Sequence, residues 1–592
     1  MATNANFHVN PENVPWGDWT NWDDDGAPHG KFTMGKNRAD LVAIFIGIFI
    51  VFVERGLWTL IKFFVFLYTR RRHLRRQHIQ QQVADPQPAV LLDGISHQMQ
   101  TVLQNISGSS VHIASAYVKI WIANGFLEKK VAGRTLPLIS VALISFGFFV
   151  VAMPLMVAFL LLDNQGDQVL IRSKMCGFWA ANSADNEVTS FNALKNETWA
   201  AVTYVDSCYE GNAESALCDR FLPQRQLPML SETNGQCPFD KEMCLSQDEY
   251  PAFVMKTDVL DSHIHFGINS PKDDRVTMQR ITTCAPLAVN DFVKIHNSTM
   301  PEEKITSVYF GKSNFSPQTY NVSNFQVFAK SSYNLEYVAN GTSSGSSFDP
   351  ISQLQRDDAD ISIILLNNNW VPVQGINGAC RDPIFSATEN RLSPSSDYFL
   401  PDNLVTAIGC TDQYIFGNPV TKEFTEPASW IDSAFNADFA KGLSRRQAAA
   451  YFTLSWSPSA RGVGSEIAIL GAEALRAKKY PGLVMGFQNP IPNDQWKKEV
   501  EYWFKIGLAK MQLLPINIAM GPLDPTLPGM KDMLPNMASG RDDIVDIICS
   551  SQKVHNTEFK NFHSHGSLAL KRRGLPHRTG RAEKCGAARE GG

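Results

Sequence analysis

Two histidines one residue apart, His263 and His265, form a pattern that could bind a metal ion. In an extended strand, side chains two positions apart point to the same face, so both imidazoles would face one ligand. Asp258 or Asp261 could add a further ligand, but no third ligand stands at a diagnostic spacing. The pattern therefore predicts a surface strand with two histidines, and a metal site is the alternative.

Two acids one residue apart, Asp358 and Asp360, form a second candidate site. Such a pair resembles the acids that hold a metal ion and a nucleotide sugar in lumenal glycosyltransferases. Those acids follow a buried strand, whereas Asp358 and Asp360 precede the apolar run from Ile361 to Leu366. The pair fits this chemistry in composition but not in position, and these two acids are the first residues to test for catalysis.

A third pattern, Gly341 to Gly345, matches the G-x-S-x-G sequence of an esterase elbow, with Ser343 as the nucleophile. The elbow requires a strand before the serine and a helix directly after it. Here the pattern lies in a Ser- and Gly-rich tract behind the sequon at Asn340, which favours a glycosylated flexible loop. Gly462-Val463-Gly464 opens a predicted helix whose amides could hold an anion, but without a third glycine a turn is the simpler interpretation.

Other motifs that bind cofactors are absent from the sequence. It contains no H-E-x-x-H zinc motif and no P-loop, and no C-x2-C pair recurs. The formal net charge of -4 argues against a nucleic-acid partner, which would require a basic domain. We therefore predict no cofactor, no metal and no nucleic-acid partner.

The cysteines are confined to one part of the chain, which indicates an oxidising compartment there because disulfides persist in such compartments. Reduced core cysteines are the alternative. The nine disulfide candidates are Cys176, Cys208, Cys218, Cys237, Cys244, Cys284, Cys380, Cys410 and Cys549. Cys208 with Cys218 and Cys237 with Cys244 are natural local pairs, but sequence order does not fix connectivity. We predict at least three pairs with Cα separations below about 7 Å.

Two apolar stretches of the sequence are candidate membrane-spanning helices. Leu136 to Leu162 has no ionisable side chain and is long enough to cross a ~30 Å hydrocarbon layer as a helix. Residues 41 to 68 are interrupted at Glu54 and Arg55, whose side chains could reach toward headgroups, and we expect this stretch to insert as well. Five arginines between Arg70 and Arg76 follow, and such a run marks the cytoplasmic side and contacts anionic lipid.

The predicted fold class is a membrane protein with two transmembrane α-helices and a large α+β disulfide-containing ectodomain. Its predicted segments are a non-cytosolic N-terminal tail (1–40), a first transmembrane or interfacial segment (41–68), a cytoplasmic loop with two amphipathic helices (69–135), a second transmembrane helix (136–162), an extracellular or lumenal α+β ectodomain (163–555) and a basic disordered tail (556–592). The ectodomain assignment places the large domain outside the plasma membrane or in the secretory pathway.

Within the ectodomain, short strand patterns precede helical ones, an order that favours α+β. Strands are predicted at Gln168 to Arg172, Thr198 to Val205, Ile305 to Phe310, Phe325 to Ala329, Ile361 to Leu366 and Val405 to Ile408. Helices are predicted at Ser444 to Trp456, Ser465 to Lys479 and Asp494 to Leu514, the last with Asn493 or Asp494 as its cap. Glycosylation is predicted at Asn196, Asn297, Asn314, Asn321 and Asn340, whereas Asn105 lies in the cytoplasmic loop and should stay bare.

Several short motifs resemble a family of uncharacterised fungal integral membrane proteins. They are Trp19-Thr20-Asn21-Trp22, Cys176-Gly177-Phe178-Trp179, Phe266-Gly267-Ile268-Asn269, Thr282-Thr283-Cys284-Ala285-Pro286-Leu287 and Cys549-Ser550-Ser551-Gln552. The resemblance covers most of the chain and implies a few spans with a large non-cytosolic domain. The family brings no established activity and no catalytic residues.

The C-terminus departs from what the resemblance implies, which is a further span shortly after Phe562. Gly566 to Leu570 begins like such a span, but Lys571-Arg572-Arg573 interrupts it, and the remainder is polar and basic. A stretch with so few apolar residues is expected to be disordered. A basic tail and a shifted reading frame are both open, and sequencing the transcript across Phe562 to Arg573 distinguishes them.

The expected function is that of a membrane-anchored structural or interaction protein without catalysis. Its expected partners are the lipid bilayer and a cell-wall or protein partner of the ectodomain. The alternative is a membrane-tethered lumenal enzyme that acts on carbohydrate, with Asp358 and Asp360 as its acids. Transport is disfavoured because two or three spans cannot enclose a path unless the protein oligomerises.

Overall fold

A computed structural model describes most of the chain. The described residues are 11–23, 29–80, 87–105, 110–124, 129–161, 168–181, 187–211, 218, 224–300, 302–313, 316–323, 332–340, 348–375, 379–455, 462–522, 530–533 and 542–563. The chain divides into two compact units. The large unit comprises residues 1–15, 19–29 and 167–557, and the small unit comprises residues 16–18, 30–166 and 558–592.

The described helices are α1 (Lys36–Gln80), α2 (Gln87–Asn105), α3 (Ser110–Ala123), α4 (Lys129–Leu161), α5 (Glu187–Tyr204), α6 (Trp430–Ala434), α7 (Ala437–Lys441), α8 (Arg445–Ser455), α9 (Ser465–Leu470), α10 (Gln495–Met520) and α11 (Asp542–Ser551).

The described strands are β1 (Gly17–Asn21), β2 (His29–Gly35), β3 (Gln168–Leu170), β4 (Trp179–Ala181), β5 (Met229–Gly235), β6 (Ala252–Thr257), β7 (Leu260–Asp261), β8 (Thr277–Pro286), β9 (Val293–Asn297), β10 (Lys304–Val308), β11 (Gly311–Ser313), β12 (Tyr320–Ser323), β13 (Asn334–Asn340), β14 (Phe348–Pro350), β15 (Asp360–Asn367), β16 (Val373–Gln374), β17 (Asn390–Arg391), β18 (Tyr398–Leu400), β19 (Val405–Asn418), β20 (Glu423–Phe424), β21 (Leu483–Val484), β22 (Phe487–Gln488), β23 (Met530–Asp532), β24 (Lys553–His555) and β25 (Phe559–His563).

An antiparallel sheet organises the large unit. Its strands follow the order β13-β15-β19-β8-β6-β5, with β20 paired to β19 and β7 paired to β8. The strand β15, which lies between β13 and β19, is buried on both faces from Ile361 onward, as its nearly continuous apolar sequence predicts. One face packs into a core that includes Ile361, Ile363 and Leu365. The α+β class predicted for this region is confirmed.

The small unit contains the helix that is long and apolar enough to cross a membrane. Among the described residues, Lys36–Arg72 of α1 passes this test by length and composition. The second predicted span corresponds to α4, whose apolar segment with described side chains, Thr135–Val151, is shorter than a crossing requires. The two predicted loop helices are present as α2 and α3, and they pack on α1 and α4 through Trp58, Tyr117 and other apolar residues.

The predictions for residues 198–205 and for the tail from residue 556 are wrong. Thr198 to Val205 was predicted as a strand but lies mainly in α5, because Thr198, Ala201 and Val202 recur at helical spacing and are buried together. The tail from residue 556 was predicted to be disordered, but Phe559–His563 forms β25, which pairs antiparallel with β2. Residues 564–592, including the predicted interruption at Lys571, lie outside the described residues.

Two other predicted elements differ in length, and a third lies outside the described residues. The strand predicted at Val405 to Ile408 continues to Asn418, since polar residues that look exposed in the sequence are buried there. The helix predicted from Ser465 ends at Leu470, where Gly471 adopts a positive φ of 54°. Phe325 to Ala329 lies outside the described residues.

Four disulfide pairs confirm the prediction of at least three. They are Cys176–Cys549, Cys208–Cys218, Cys237–Cys244 and Cys284–Cys410, with Cα separations of 5.7, 5.5, 6.1 and 4.1 Å. Cys284 and Cys410 are direct cross-strand neighbours on β8 and β19. Cys380 is a buried free thiol. Together with the apolar helix, these pairs indicate a membrane or secreted protein.

Candidate functional site

The acidic pair proposed for catalysis is engaged in internal contacts. Asp358 is half-exposed and forms two hydrogen bonds of 2.7 Å with Arg356, and these bonds lower the pKa of Asp358. Gln413 also donates to Asp358 at 2.8 Å. Asp360 begins β15 and accepts the backbone N–H of Trp430 at 2.7 Å, which fixes the start of α6. Both acids therefore hold chain segments together.

The histidine pair lies in a turn, so the predicted strand at this position is wrong. The Nδ1 atom of His265 accepts the backbone N–H of Asp261 at 2.8 Å. The Nδ1 atom of His263 accepts the N–H of Ser270 at 3.1 Å, so its Nε2–H donates to Asp23 at 2.7 Å. Burial lowers the pKa of both histidines. Within the described residues, no three His, Cys, Asp or Glu side chains converge to hold a metal ion.

His263 belongs to a cluster that we call the N-terminal anchor, formed by Asn21, Asp23, His263 and Lys553. Lys553 donates to Asp23 and lies 3.3 Å from the Oδ1 atom of Asn21. Burial alone would raise the pKa of Asp23, but the hydrogen bonds from His263 and Lys553 hold it below the ordinary value. The anchor therefore fixes the segment around Asp23 within the large unit.

Further backbone contacts hold the same segment. The N–H of Trp22 donates to Asn269 at 3.2 Å, and Arg275 donates to the carbonyl of Trp22 at 2.9 Å. Asn269 also donates to the carbonyl of Thr20 at 2.7 Å. Sequence reasoning missed this set of contacts, although the Trp19 to Trp22 and Phe266 to Asn269 motifs both lie in it.

The remaining candidates are surface positions or lie outside the description. Ser343 and Asn314 fall outside the described residues, so the esterase pattern and one sequon have no structural account. Four sequon asparagines are exposed. They are Asn196, Asn297, Asn321 and Asn340. Glycosylation at these sites stays a prediction.

The largest set of buried charges is one that sequence patterns did not reveal. We call it the buried charge centre, formed by Arg280 on β8, Asp412 on β19, Glu466 on α9 and Lys510 on α10. The Nη2 and Nε atoms of Arg280 donate to the Oδ1 atom of Asp412 at 2.8 and 3.1 Å, and both side chains are fully buried. Lys510 lies 3.6 Å from Glu466, again with almost no exposure. The set contains two basic and two acidic side chains.

Backbone and neutral groups add further contacts, although the Nη1 atom of Arg280 and the Oε1 atom of Glu466 have no hydrogen-bond partner among the described residues. The Oδ2 atom of Asp412 accepts the N–H of Val463 at 3.0 Å, so the anion held by the Gly462 to Gly464 turn is a side chain of the protein itself. Thr282 donates to the other carboxylate oxygen. A Cβ at Gly507 would lie 2.7 Å from the Nη1 atom of Arg280, so this position of α10 leaves room for the guanidinium. The centre joins helices to the sheet.

Two further carboxylates, Asp382 and Glu499, are buried beside the N-terminal half of α10. Asp382 accepts the backbone N–H groups of Trp496, Ile384 and Phe385 at 2.9 to 3.2 Å. It therefore caps α10 in place of the predicted Asn493 or Asp494, whose side chains do not cap this helix. Glu499 accepts the N–H groups of Arg476 and Ala477 at 2.6 and 2.7 Å. Burial raises the pKa of Asp382 to about 6 and that of Glu499 to about 7.

The contribution of Asp382 and Glu499 to the stability of the large unit is expected to fall as pH rises from about 4.5 toward 7. Asp382 and Glu499 keep protons in the folded state at pH values where the unfolded chain, with ordinary values of 3.8 and 4.5, has released them. The folded state then binds more protons, so stability is fully present below the ordinary values and is lost through the folded ones. One extra bound proton gives a slope of about -1.4 kcal/mol per pH unit.

Urea unfolding across this pH range measures the slope. Glu499→Gln removes one of the two titrating groups and should flatten the curve, whereas Asp358→Asn, at a half-exposed site, should leave it unchanged. The two buried histidines, whose pKa values are lowered, affect both curves alike. A wild-type stability that does not fall relative to that of Glu499→Gln across this range would therefore contradict the assignment.

The best-formed cavities within the described part of the large unit are small. The two best-formed cavities among the described residues have volumes of about 10 Å³ each, which corresponds to about one water molecule. The first is lined mainly by apolar residues with Glu499 as its one carboxylate, and the second lies against Gln552 and α11. The chain matches no protein-family model, no curated protein and no solved structure.

Proposed function

We propose that this chain is a membrane-anchored protein whose large unit serves a structural or interaction role on the non-cytosolic side. The observation that carries the proposal is that the described part of that unit has a closed interior. The buried charge centre and the two carboxylates beside α10 are engaged by internal donors and counter-charges, and the best cavities hold about one water molecule each. The resemblance to fungal integral membrane proteins is part of this proposal.

The proposal includes two membrane crossings, α1 and α4. The N-terminal anchor joins Asp23 to Lys553 within one folded unit, so both must lie on the same side of the membrane. Because α1 follows Asp23, a crossing by α1 requires a second crossing before β3. Residues 136 to 162 of the sequence are the remaining stretch long and apolar enough for this return.

The arginine run supports the orientation of these crossings. Arg70, Arg71, Arg72 and Arg75 lie on the extension of α1 beyond its apolar part, and such residues accumulate on the cytoplasmic side. The disulfides of the large unit favour the opposite, oxidising side. Both observations support an extracellular or lumenal large unit and a cytoplasmic segment between α1 and α4.

Glycan mapping of the full-length protein tests this orientation. We expect endoglycosidase treatment to shift its mobility, and Asn→Gln changes at Asn196, Asn297, Asn314, Asn321 or Asn340 to remove that shift stepwise. Asn105→Gln is the matched control and should change nothing. A glycan at Asn105, or none at the five other sites, would overturn the orientation.

The carbohydrate-active alternative is tested separately. Asp358 and Asp360 are held by Arg356, Gln413 and Trp430, which disfavours a role in binding a metal ion. Sugar-nucleotide turnover by the purified full-length protein that disappears in both Asp358→Asn and Asp360→Asn would replace the proposed non-catalytic role with an enzymatic one.

A further inference from the structure

The N-terminal anchor brings an amine and a carboxamide together in a mostly buried site. The Nζ atom of Lys553 lies 3.3 Å from the Oδ1 atom of Asn21, and both side chains are almost fully buried. Because a carbonyl bond is about 1.23 Å long, the carboxamide carbon lies within about 4.5 Å of the amine. Reacting atoms in a productive arrangement are about 3 to 3.5 Å apart, so a small shift of the long lysine side chain is sufficient.

Asp23 contacts both of these groups through different oxygens. Its Oδ1 atom accepts a hydrogen bond from Lys553, and its Oδ2 atom accepts one of 2.7 Å from the Nδ2 atom of Asn21. That nitrogen is the group that leaves if the amine displaces it. One carboxylate is therefore placed to remove a proton from the nucleophile and to deliver a proton to the leaving nitrogen, which are the two proton transfers that such a displacement requires.

Neighbouring groups hold the three side chains in this arrangement. The Nε2–H group of His263 donates to the Oδ1 atom of Asp23 at 2.7 Å, which orients the carboxylate. Asn269 binds the backbone on both sides of Asn21, through the carbonyl before it and the N–H after it. Lys553 begins β24, whose pairing with β3 fixes the lysine backbone. Positioning of this kind lowers the entropy cost of a reaction between two groups.

We propose that Lys553 and Asn21 react with each other to form an intramolecular amide cross-link. A proton of the Lys553 ammonium passes to Asp23, and the neutral amine, which is the nucleophilic form, attacks the Cγ atom of Asn21. The Cγ–Nζ bond forms and the Cγ–Nδ2 bond breaks.

The atoms and charges of this step balance. Two protons leave the Nζ atom of Lys553 in turn through Asp23 and reach the Nδ2 atom of Asn21, which departs as an ammonium ion. The total charge is unchanged, Asp23 is again a carboxylate, and no further reactant is required. The inference does not depend on the membrane orientation, because the reacting residues all lie in the large unit.

Peptide mass spectrometry of the purified full-length protein tests the cross-link. The wild-type protein is reduced, unfolded and digested with trypsin, which does not cleave after a lysine whose amine is acylated. We expect the peptide that contains Asn21 to be joined to one that spans Lys553, with a mass lower than their sum by one ammonia. Separate peptides with cleavage after Lys553 overturn the proposal. A deficit of one water, with fragment ions that place the link at Asp23, also overturns it because the acyl donor is then a different residue.

Two lysine variants distinguish the reaction from contact alone. Lys553→Arg keeps the positive charge but has no nucleophilic amine, so the joined peptide should disappear. Lys560→Arg is the matched control, because Lys560 also lies beside an aspartate, at 2.6 Å from Asp40, and this variant should give the joined peptide in wild-type yield. Loss of the joined peptide in Lys560→Arg, or its persistence in Lys553→Arg, contradicts the proposal.

Asp23→Ala measures the proton transfers, since it removes the carboxylate without adding a second carboxamide. In newly synthesised protein we expect the cross-link to form about 10²- to 10⁴-fold more slowly than in the wild type. A parallel digest without reductant reports the Cys176–Cys549 bridge, so the rates are compared for chains that have folded around Lys553. A cross-link that forms at the wild-type rate in Asp23→Ala overturns the proposed mechanism.

Discussion

Replacing Asp412 with Asn is expected to lower the free energy of unfolding of the large unit by about 3 to 5 kcal/mol, since it leaves a buried charge without its partner. Arg280 donates twice to Asp412, and both residues are fully buried. Asn has nearly the same volume but carries no charge, and its amide turns donors toward either Arg280 or Val463. Urea unfolding followed by tryptophan fluorescence measures the loss.

The matched control is Asp358→Asn, which also removes an Asp–Arg pair but at a half-exposed site. Exposed pairs contribute about 0 to 1 kcal/mol, so this variant should unfold near the wild-type midpoint. Replacing Arg280 and Asp412 together with Met and Leu should recover part of the loss, because no uncompensated charge remains. Equal destabilisation by Asp412→Asn and Asp358→Asn would show that the buried Arg280–Asp412 pair contributes no more to stability than the exposed Arg356–Asp358 pair.

Removing the Cys176–Cys549 disulfide is expected to cost about 5 kcal/mol, the upper end of the range for a single bridge. This bridge joins residues separated by 373 positions, and constraining a longer loop removes more entropy from the unfolded chain. The double variant Cys176→Ser with Cys549→Ser isolates the effect. Unfolding by urea without reductant measures it.

The Cys208–Cys218 bridge provides the comparison, because its sequence separation is 10. Because the loss of unfolded-state entropy grows with the logarithm of loop length, removing the bridge across this short loop is expected to cost only about 3 kcal/mol. A larger loss from the short bridge than from the long one would contradict the loop-entropy explanation and point to local packing around Cys208 instead.

The sequence predicts a buried element well when the residues of that element are themselves mostly apolar. Ile361 to Leu366 reads as a buried strand because every residue but one is apolar, and β15 occupies this position. The second half of β19 was not predicted as a strand, because a charged residue such as Asp412 is ordinarily exposed to solvent. Its burial depends on Arg280, which is 132 residues away and becomes its neighbour through the pairing of β8 with β19.

The candidate site shows the same limit. Patterns such as His263 with His265 or Asp358 with Asp360 attract attention because they are adjacent in sequence. The buried groups come from distant positions, as when Asp382 caps a helix that begins 113 residues later at Gln495, with Trp496 as the capped residue. The sequence offered one indication of the buried charge centre, the glycines Gly462, Gly464 and Gly507. A side chain at these positions would crowd Asp412, Tyr337 or Arg280.

The N-terminal anchor sets an order in which the protein can be completed during its synthesis. Asp23 binds Lys553 across 530 positions of sequence, so a segment made at the start must wait for one made near the end. At about 5 to 20 residues per second, this delay is about 25 to 100 s. His263 and Asn269, its other partners, are made about halfway through that interval, so the early segment can first bind there and is completed only when Lys553 arrives.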